Sequence, residues 1–236
     1  MLDPEVLGPG KDAGYPGGFS YYVVGRGGVL GDVDASVVVS AFGFFADGLV
    51  RSLWESGVAV EGARAAADRY TNGAASWGRR RLSGFTDAER LGELLEKVID
   101  GADATGLVLF AGWRAQHRPD DALGRCYVLL HVLRELRGAA HVAAVAAAGL
   151  GPLEAILLNP GGRGADQAKL FGWGTDLPNV SGLEPLFERA EADTNRISAR
   201  ALSILGDDEL DELADLIDRA AVALGRPVEA SGSEPN

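Results

Sequence analysis

The stretch YVLLHVLRELRGAAHVAAVAAAGL, residues 127–150, constrains the fold of this chain more than any other segment. It combines a dense apolar helix pattern with two of the three histidines, and it reads as the centre of the core. Tyr127, His131, Arg134 and Glu135 recur there at i, i+4, i+7 and i+8, a spacing that places them on one helix face. Gly138 is the natural break. The alanine-rich run from Ala139 to Ala148 then predicts a second helix whose short side chains allow close packing.

The chain has 236 residues, 47% of them apolar, enough for a substantial buried core in one large domain or two small ones. Its formal charge of −12 repels a phosphate backbone, so nucleic acid is disfavoured as a partner. The single cysteine, Cys126, rules out an internal disulfide framework and a cysteine-based zinc cage, and its apolar helical setting suits a packed thiol in a reducing compartment. The sequence shows no basic-then-apolar leader and no uninterrupted apolar run of the ~20 residues that a membrane-spanning helix needs. A soluble, cytoplasmic protein without membrane association or cofactor is expected.

Residues 1–20 are rich in Gly and Pro and read as an irregular lead-in. Gly25, Gly27, Gly28 and Gly31 follow with the spacing G-x-G-G-x-x-G, which invites comparison with a dinucleotide-binding loop. No alternation of strands and helices follows, so a turn-rich connector is the reading, with Arg26 at the surface or reaching into a pocket. Asp32 or Asp34 can cap a long helix from Ala35 to Ser56, whose Phe42, Phe44, Phe45 and Trp54 are core or cavity lining. A second helix spans about Val58 to Arg80, and its terminal Arg79, Arg80 and Arg81 oppose the helix dipole. Thr86 with Glu89 forms a capping box for a third, which Gly101 closes. A short apolar segment carrying Phe110 and Trp113 ends before Pro119, which starts the central helix, and His117 beside it reads as a surface residue.

Beyond Leu150 come two short helices separated by NPGGRG, a loop GWGTDLPNVSG, and two long acidic helices from Leu183 to about Leu205 and from Asp207 or Asp208 to Leu224. The chain divides into the lead-in 1–20, an N-terminal helical half 21–118, a central and C-terminal half 119–224, and a disordered polar tail 225–236.

Three blocks carry a family resemblance: YYVVGRGGVLGDVDASVVVSAFGFF, LLHVLRELRGAAHVAAVAAAGLGPLEAILL with its L-R-E-x-R-G-x-x-H pattern, and ERAEADTNRISARAL. Through them most of the chain resembles an actinobacterial family of helix-turn-helix proteins distantly similar to MarR-type winged-helix regulators. The resemblance implies an all-α multi-helix bundle with a degenerate winged-helix-like C-terminal half, and a homodimer made through terminal helices. It carries over to Arg26, His131, Arg134, Glu135, Arg137, His141, Glu154, Asp193 and Thr194. Winged-helix relatives continue after the tryptophan matching Trp173 with a recognition helix and a β-wing, whereas here GTDLPNVSG alone precedes the next long helix.

The candidate ligand site comprises Arg26, Phe44, Trp113, Tyr127, His131, Arg134, Arg137 and His141. Guanidiniums fork to a carboxylate or phosphate, imidazoles exchange protons, and Glu135 and Glu154 are candidate orienters. The competing reading pairs Arg134 and Arg137 with the acidic helices and makes His131 a hydrogen-bonded core residue. His131 and His141 lack the i, i+4 spacing of a helical zinc pair, so no metal is expected, and neither a G-x-S-x-G elbow nor a phosphate loop is present. The residues support a small-molecule-binding protein of winged-helix descent that does not read DNA directly. The alternatives are a MarR-like transcriptional regulator and an enzyme of secondary metabolism catalysing a proton-transfer or cyclisation step.

Overall fold

Among residues 3–225, which the computed structural model describes, the chain forms twelve α-helices and no strand. They are α1 (Pro4–Asp12), α2 (Gly18–Gly27), α3 (Ala35–Phe42), α4 (Asp47–Glu61), α5 (Ala63–Arg81) and α6 (Ala88–Gly101), followed by α7 (Val108–Arg114), α8 (Ala122–Ala148), α9 (Pro152–Leu158), α10 (Ala165–Leu170), α11 (Glu184–Leu202) and α12 (Asp207–Ala223). The expected polar tail lies, past Gly225, outside the described residues.

Helix α8 is the axis, packed against α5, α6, α7 and α11. Its start is fixed by Asp121, whose carboxylate accepts from the backbone N–H of Gly124 at 2.8 Å, rather than by Pro119. It ends at Gly149, in the left-handed region with φ 83°. Gly138 does not break it. An interior glycine costs only ~1 kcal/mol relative to alanine, and the buried Leu136, Ala140 and Ala144 on either side hold the helix straight through. The predicted pair of helices is therefore one.

Two segments expected to be irregular are helical. In the lead-in, Asp3 accepts from the N–H of Glu5 at 2.8 Å and Pro4 takes the first turn, so α1 is both capped and preorganised. The first part of the glycine-rich connector is α2, in which every residue from Ser20 to Gly27 is buried, while Gly28–Leu30 form a single 3-10 turn closed by Gly31 at φ 82°. Gly25 and Gly28 are there for close approach. A Cβ at Gly28 would lie 2.0 Å from the carbonyl oxygen of Ala63, and one at Gly25 would lie 2.7 Å from Tyr70. Helix α2 and the turn after it can thus sit directly on α5, and in the spacing that resembles a dinucleotide loop Gly25 and Gly28 serve packing while Gly31 closes a turn.

The helix predicted from Ala35 to Ser56 is broken. Gly43 takes φ 64°, where a Cβ would also meet Val142 of α8 at 2.6 Å, and α4 starts afresh at Asp47. The capping box predicted at Thr86 and Glu89 is absent as well: Thr86 bonds Asp87, and Glu89 is drawn to Arg125 of α8. The acidic face of α12 is more than a solvated surface, because Glu212 pairs with Arg90 of α6 at 2.7 Å, Glu209 pairs with Lys97, and Arg219 bridges Asp215 and Asp87.

One apolar core, from Val6 to Ala220, draws side chains from both halves of the chain. A smaller cluster gathers Val145, Leu150, Ala155 and Phe187. No single helix among the described residues is long and apolar enough to cross a membrane.

At the heart of the core a charge pair joins α2 to α8. Arg26 donates from Nε to Glu135 Oε1 at 2.9 Å and from a terminal nitrogen to Oε2 at 2.8 Å, with Glu135 only 1% exposed. Such a pair offsets its desolvation only while both partners are present. Glu135→Gln is therefore expected to lower stability by about 3–5 kcal/mol in urea unfolding, and the double variant Arg26→Met/Glu135→Leu by much less than the sum of its single changes.

Candidate functional site

The break at Gly43 turns the chain so that Phe44 and Phe45 leave the helix path and face α8 and α10. Phe44 stacks on His141 with centroids 5.1 Å apart, and Phe45 stacks on Phe171 at 4.2 Å. The corner is fastened from the far side of the chain: Ala46 N–H donates to Phe171 O at 2.9 Å, and the Trp173 indole donates to Phe44 O at 2.9 Å. These contacts enclose a cavity of about 340 Å³ between α8, the α3–α4 corner, α9 and α10. Phe42, Phe44, Phe45 and Phe171 give it an aromatic wall; Arg26, Arg134, Arg137 and His141 supply charge and proton-exchanging groups.

Of the eight residues singled out from the sequence, Arg26, Phe44, Arg134, Arg137 and His141 meet at this cavity. Tyr127 and His131 do not. They line a second cavity of about 430 Å³ on the other flank of α8, with Trp77, Leu130 and the Ile217–Leu224 end of α12. Arg134 and Tyr22 border both. Trp113 lines neither; it is 1% exposed, donates its indole N–H to the Arg26 carbonyl at 3.1 Å, and sets its ring edge-on to His131 at 4.3 Å. Glu154 orients nothing in the site, because its carboxylate caps α9 by accepting from Gly151 N–H at 2.7 Å.

The charged groups differ in how far they are committed. Arg26 is spent on Glu135, with Tyr22 hydroxyl accepting at 3.3 Å and the Phe42 ring 4.5 Å from its guanidinium carbon. Burial is the largest single influence and pushes the Glu135 carboxyl up, but the Arg26 charge and hydrogen bonds together with His131 and Arg134 outweigh it, and the pKa falls to about 2. Arg134 touches Glu135 at 3.3 Å through one nitrogen, and 60% of its side chain remains exposed. Arg137 reaches Glu191 of α11 at 3.3 Å, an ion pair with an acidic helix of the kind the competing reading foresaw.

His131 is buried, and neither ring nitrogen has a hydrogen-bond partner among the described residues; the nearest carboxylate oxygen, Glu135 Oε1, is 3.6 Å away. It is a core histidine, as the competing reading held, but not a hydrogen-bonded one. Burial holds its pKa down at about 3, against the pull of Glu135 and with the help of Arg134 and Arg26.

His141 is anchored. Its Nδ1 lies 3.0 Å from Thr194 Oγ1 and 3.4 Å from Glu191 Oε1, while the Thr194 hydroxyl gives its own proton to Ala190 O at 2.7 Å. Burial lowers its pKa, Glu191 opposes that shift and Arg137 adds to it. Phe171, Asn159 and Gln167, which also line the cavity, were not singled out from the sequence: Gln167 lies in α10 and Phe171 caps its end, while Asn159 follows α9, and two helices this short carry no pattern that tells which side faces the α3–α4 corner. The described residues contain no cluster of three or more metal-ligating side chains.

A helix-turn-helix family model matches residues 1–177, which contain α1 to α10 and the whole lining of the first cavity. The chain belongs to this helix-turn-helix family. No curated protein and no solved structure matches it. Within this family member the short α9 and α10 are consecutive and packed on one another.

The buried histidine makes stability depend on pH with a definite sign. His131 binds its proton at about 3 when folded and at 6.5 when free, so the unfolded chain holds more protons between those values and stability falls as pH falls through that window. Glu135, depressed to about 2, acts in the same direction at lower pH, below its free value of 4.5. Denaturation midpoints measured from pH 7 to pH 4 are expected to drop in the wild type. His131→Phe removes up to ~1.4 kcal/mol per pH unit of that dependence.

Proposed function

We propose that this helix-turn-helix family member is a small-molecule-binding protein that takes an anionic ligand with a flat apolar body and does not read DNA directly. The observation that carries the reading is the charge of the first cavity. In a chain of net −12 its lining holds three guanidiniums, Arg26, Arg134 and Arg137, against the single carboxylate of Glu135. Arg26 neutralises Glu135, which leaves Arg134 and Arg137 at the rim with donors to spare for a carboxylate or phosphate. The phenylalanine wall suits a planar body, and the volume lies in the range of small-molecule sites.

Residues 165–185 support the loss of DNA reading. They carry Lys169 alone against Asp166, Asp176 and Glu184, and α10 spans only Ala165–Leu170. A groove-reading helix with phosphate anchors needs the opposite charge balance. The alternative is a MarR-like regulator: the helix-turn-helix family description is consistent with a regulator-like fold, and its MarR-like part rests on the resemblance read from the sequence alone.

Titration with 2-naphthoate and with its neutral counterpart 2-naphthalenemethanol tests the reading. The carboxylate is expected to bind at least about tenfold more tightly, and Arg134→Gln with Arg137→Gln to remove that preference, since a charge-assisted hydrogen bond contributes ~1.5–3 kcal/mol. Gel-shift assays at low salt, where electrostatic binding is strongest, are expected to show no retention of duplex DNA. Tight, sequence-selective retention would overturn the reading in favour of the regulator.

A further inference from the structure

We propose that the first cavity also catalyses proton transfer, with His141 as the base that takes a proton from a carbon of the bound molecule; the inference rests on the anionic-ligand reading of that cavity. The argument starts at Thr194. Its hydroxyl proton is committed to Ala190 O at 2.7 Å, so Oγ1 faces His141 Nδ1 as an acceptor, and the 3.0 Å contact is an N–H donated by the ring. In the neutral imidazole that places the proton on Nδ1 and leaves the lone pair on Nε2. No protein group among the described residues bonds Nε2, and the ring lines the cavity. Glu191 Oε1, 3.4 Å from Nδ1, stands where it stabilises the imidazolium formed when Nε2 takes a proton. Phe44, stacked on the ring, and α11, which carries Thr194 and Glu191, hold the base in one orientation, as acid–base catalysis requires.

The rest of the cavity supplies the other half of the step. When the C–H bond beside a carbonyl breaks, its electron pair forms a C=C bond and the carbonyl π pair moves onto the oxygen as an enolate, and the spare donors of Arg134 lie on the lining to meet that charge. The proton on Nε2 is then returned to another carbon of the same molecule or to water, so no oxidant, reductant or co-reactant is required. A molecule with an acidic C–H, a flat apolar body and an oxygen that becomes anionic is the class the lining accommodates.

5-Nitrobenzisoxazole probes this chemistry directly. Nε2 takes its C3 proton, the C–H pair becomes the new C–N π bond of the nitrile, the N–O bond breaks, and the oxygen leaves with the N–O pair as a coloured phenolate. The full chain is expected to accelerate the elimination beyond free imidazole at equal concentration, and His141→Gln to lower kcat/KM by about a hundredfold, the low end for a positioned base. The charged groups at or beside the ring are Glu191 of α11, Arg137, Arg134 and Glu135 of α8, and Arg26 of α2. Because Glu191 raises the His141 pKa, Glu191→Gln is expected to move the midpoint of the pH–rate profile to lower pH, which a merely structural role for Glu191 would not do. An elimination rate unchanged in His141→Gln overturns the proposal. Binding of 2-naphthoate separates the two readings. If naphthoate binds and the rate is indifferent to His141, the catalytic inference alone fails; if naphthoate does not bind, the anionic-site reading on which it rests has failed.

Discussion

The bidentate pair between Arg26 and Glu135 is the interaction on which the remaining structure depends. Both charges lie out of water, so each has to be satisfied by protein groups, and the groups that do so belong to different helices. Glu135 ties α8 to α2. The Arg26 guanidinium lies over Phe42 of α3, and the Arg26 carbonyl accepts from Trp113 of α7, which in turn meets His131. Four helices are thereby fixed in register around one charge pair. A hydrophobic cluster of the same volume would leave them freer to slide, because apolar contacts have no preferred direction. The pair also forms the back of the first cavity, so the rim arginines project from a wall already neutral and rigid.

What could be read from the sequence follows from how each helix is buried. Helices with one solvated face, such as α6, α11 and α12, keep the 3.6-residue alternation and are legible as helices, with ends displaced by a few residues. Helix α2 is buried from Ser20 to Gly27 and has no polar face to alternate with, and its glycines, needed for contact with α5, imitate a loop. Gly138 misleads in the opposite direction: nothing lies within 4 Å of where its Cβ would be, so it neither packs nor turns, and the neighbouring burial carries the helix past it. A glycine has one letter and several uses, and only its surroundings in space tell them apart.

The site was legible in its residue types more than in its geometry. The spacing of Tyr127, His131 and Arg134 does place them on one face, yet that face looks onto the second cavity, while Arg137 and His141, three and seven positions beyond Arg134, look onto the first. Arg134 sits where the two faces meet. The partners that give His141 its defined tautomer, Thr194 and Glu191, come from α11, far along the chain, and no local pattern announces such a meeting. Asp193 and Thr194 were marked only through the resemblance, and of these Thr194 is the one that touches the histidine.

The corner at Gly43 has a consequence for how this sequence can vary. The Cα of Gly43 and the side chain of Val142 occupy the same few ångströms, so a methyl group added at one position is felt at once by the other. The two positions therefore share a single allowance of volume, although the whole of α4 to α7 separates them along the chain. Val142 adjoins His141, whose ring the Phe44 side chain covers. Drift in the size of one small aliphatic side chain on α8 would thus be transmitted to the aromatic wall without any change in an aromatic residue, and the shape of the cavity can be tuned from a position that carries no functional group.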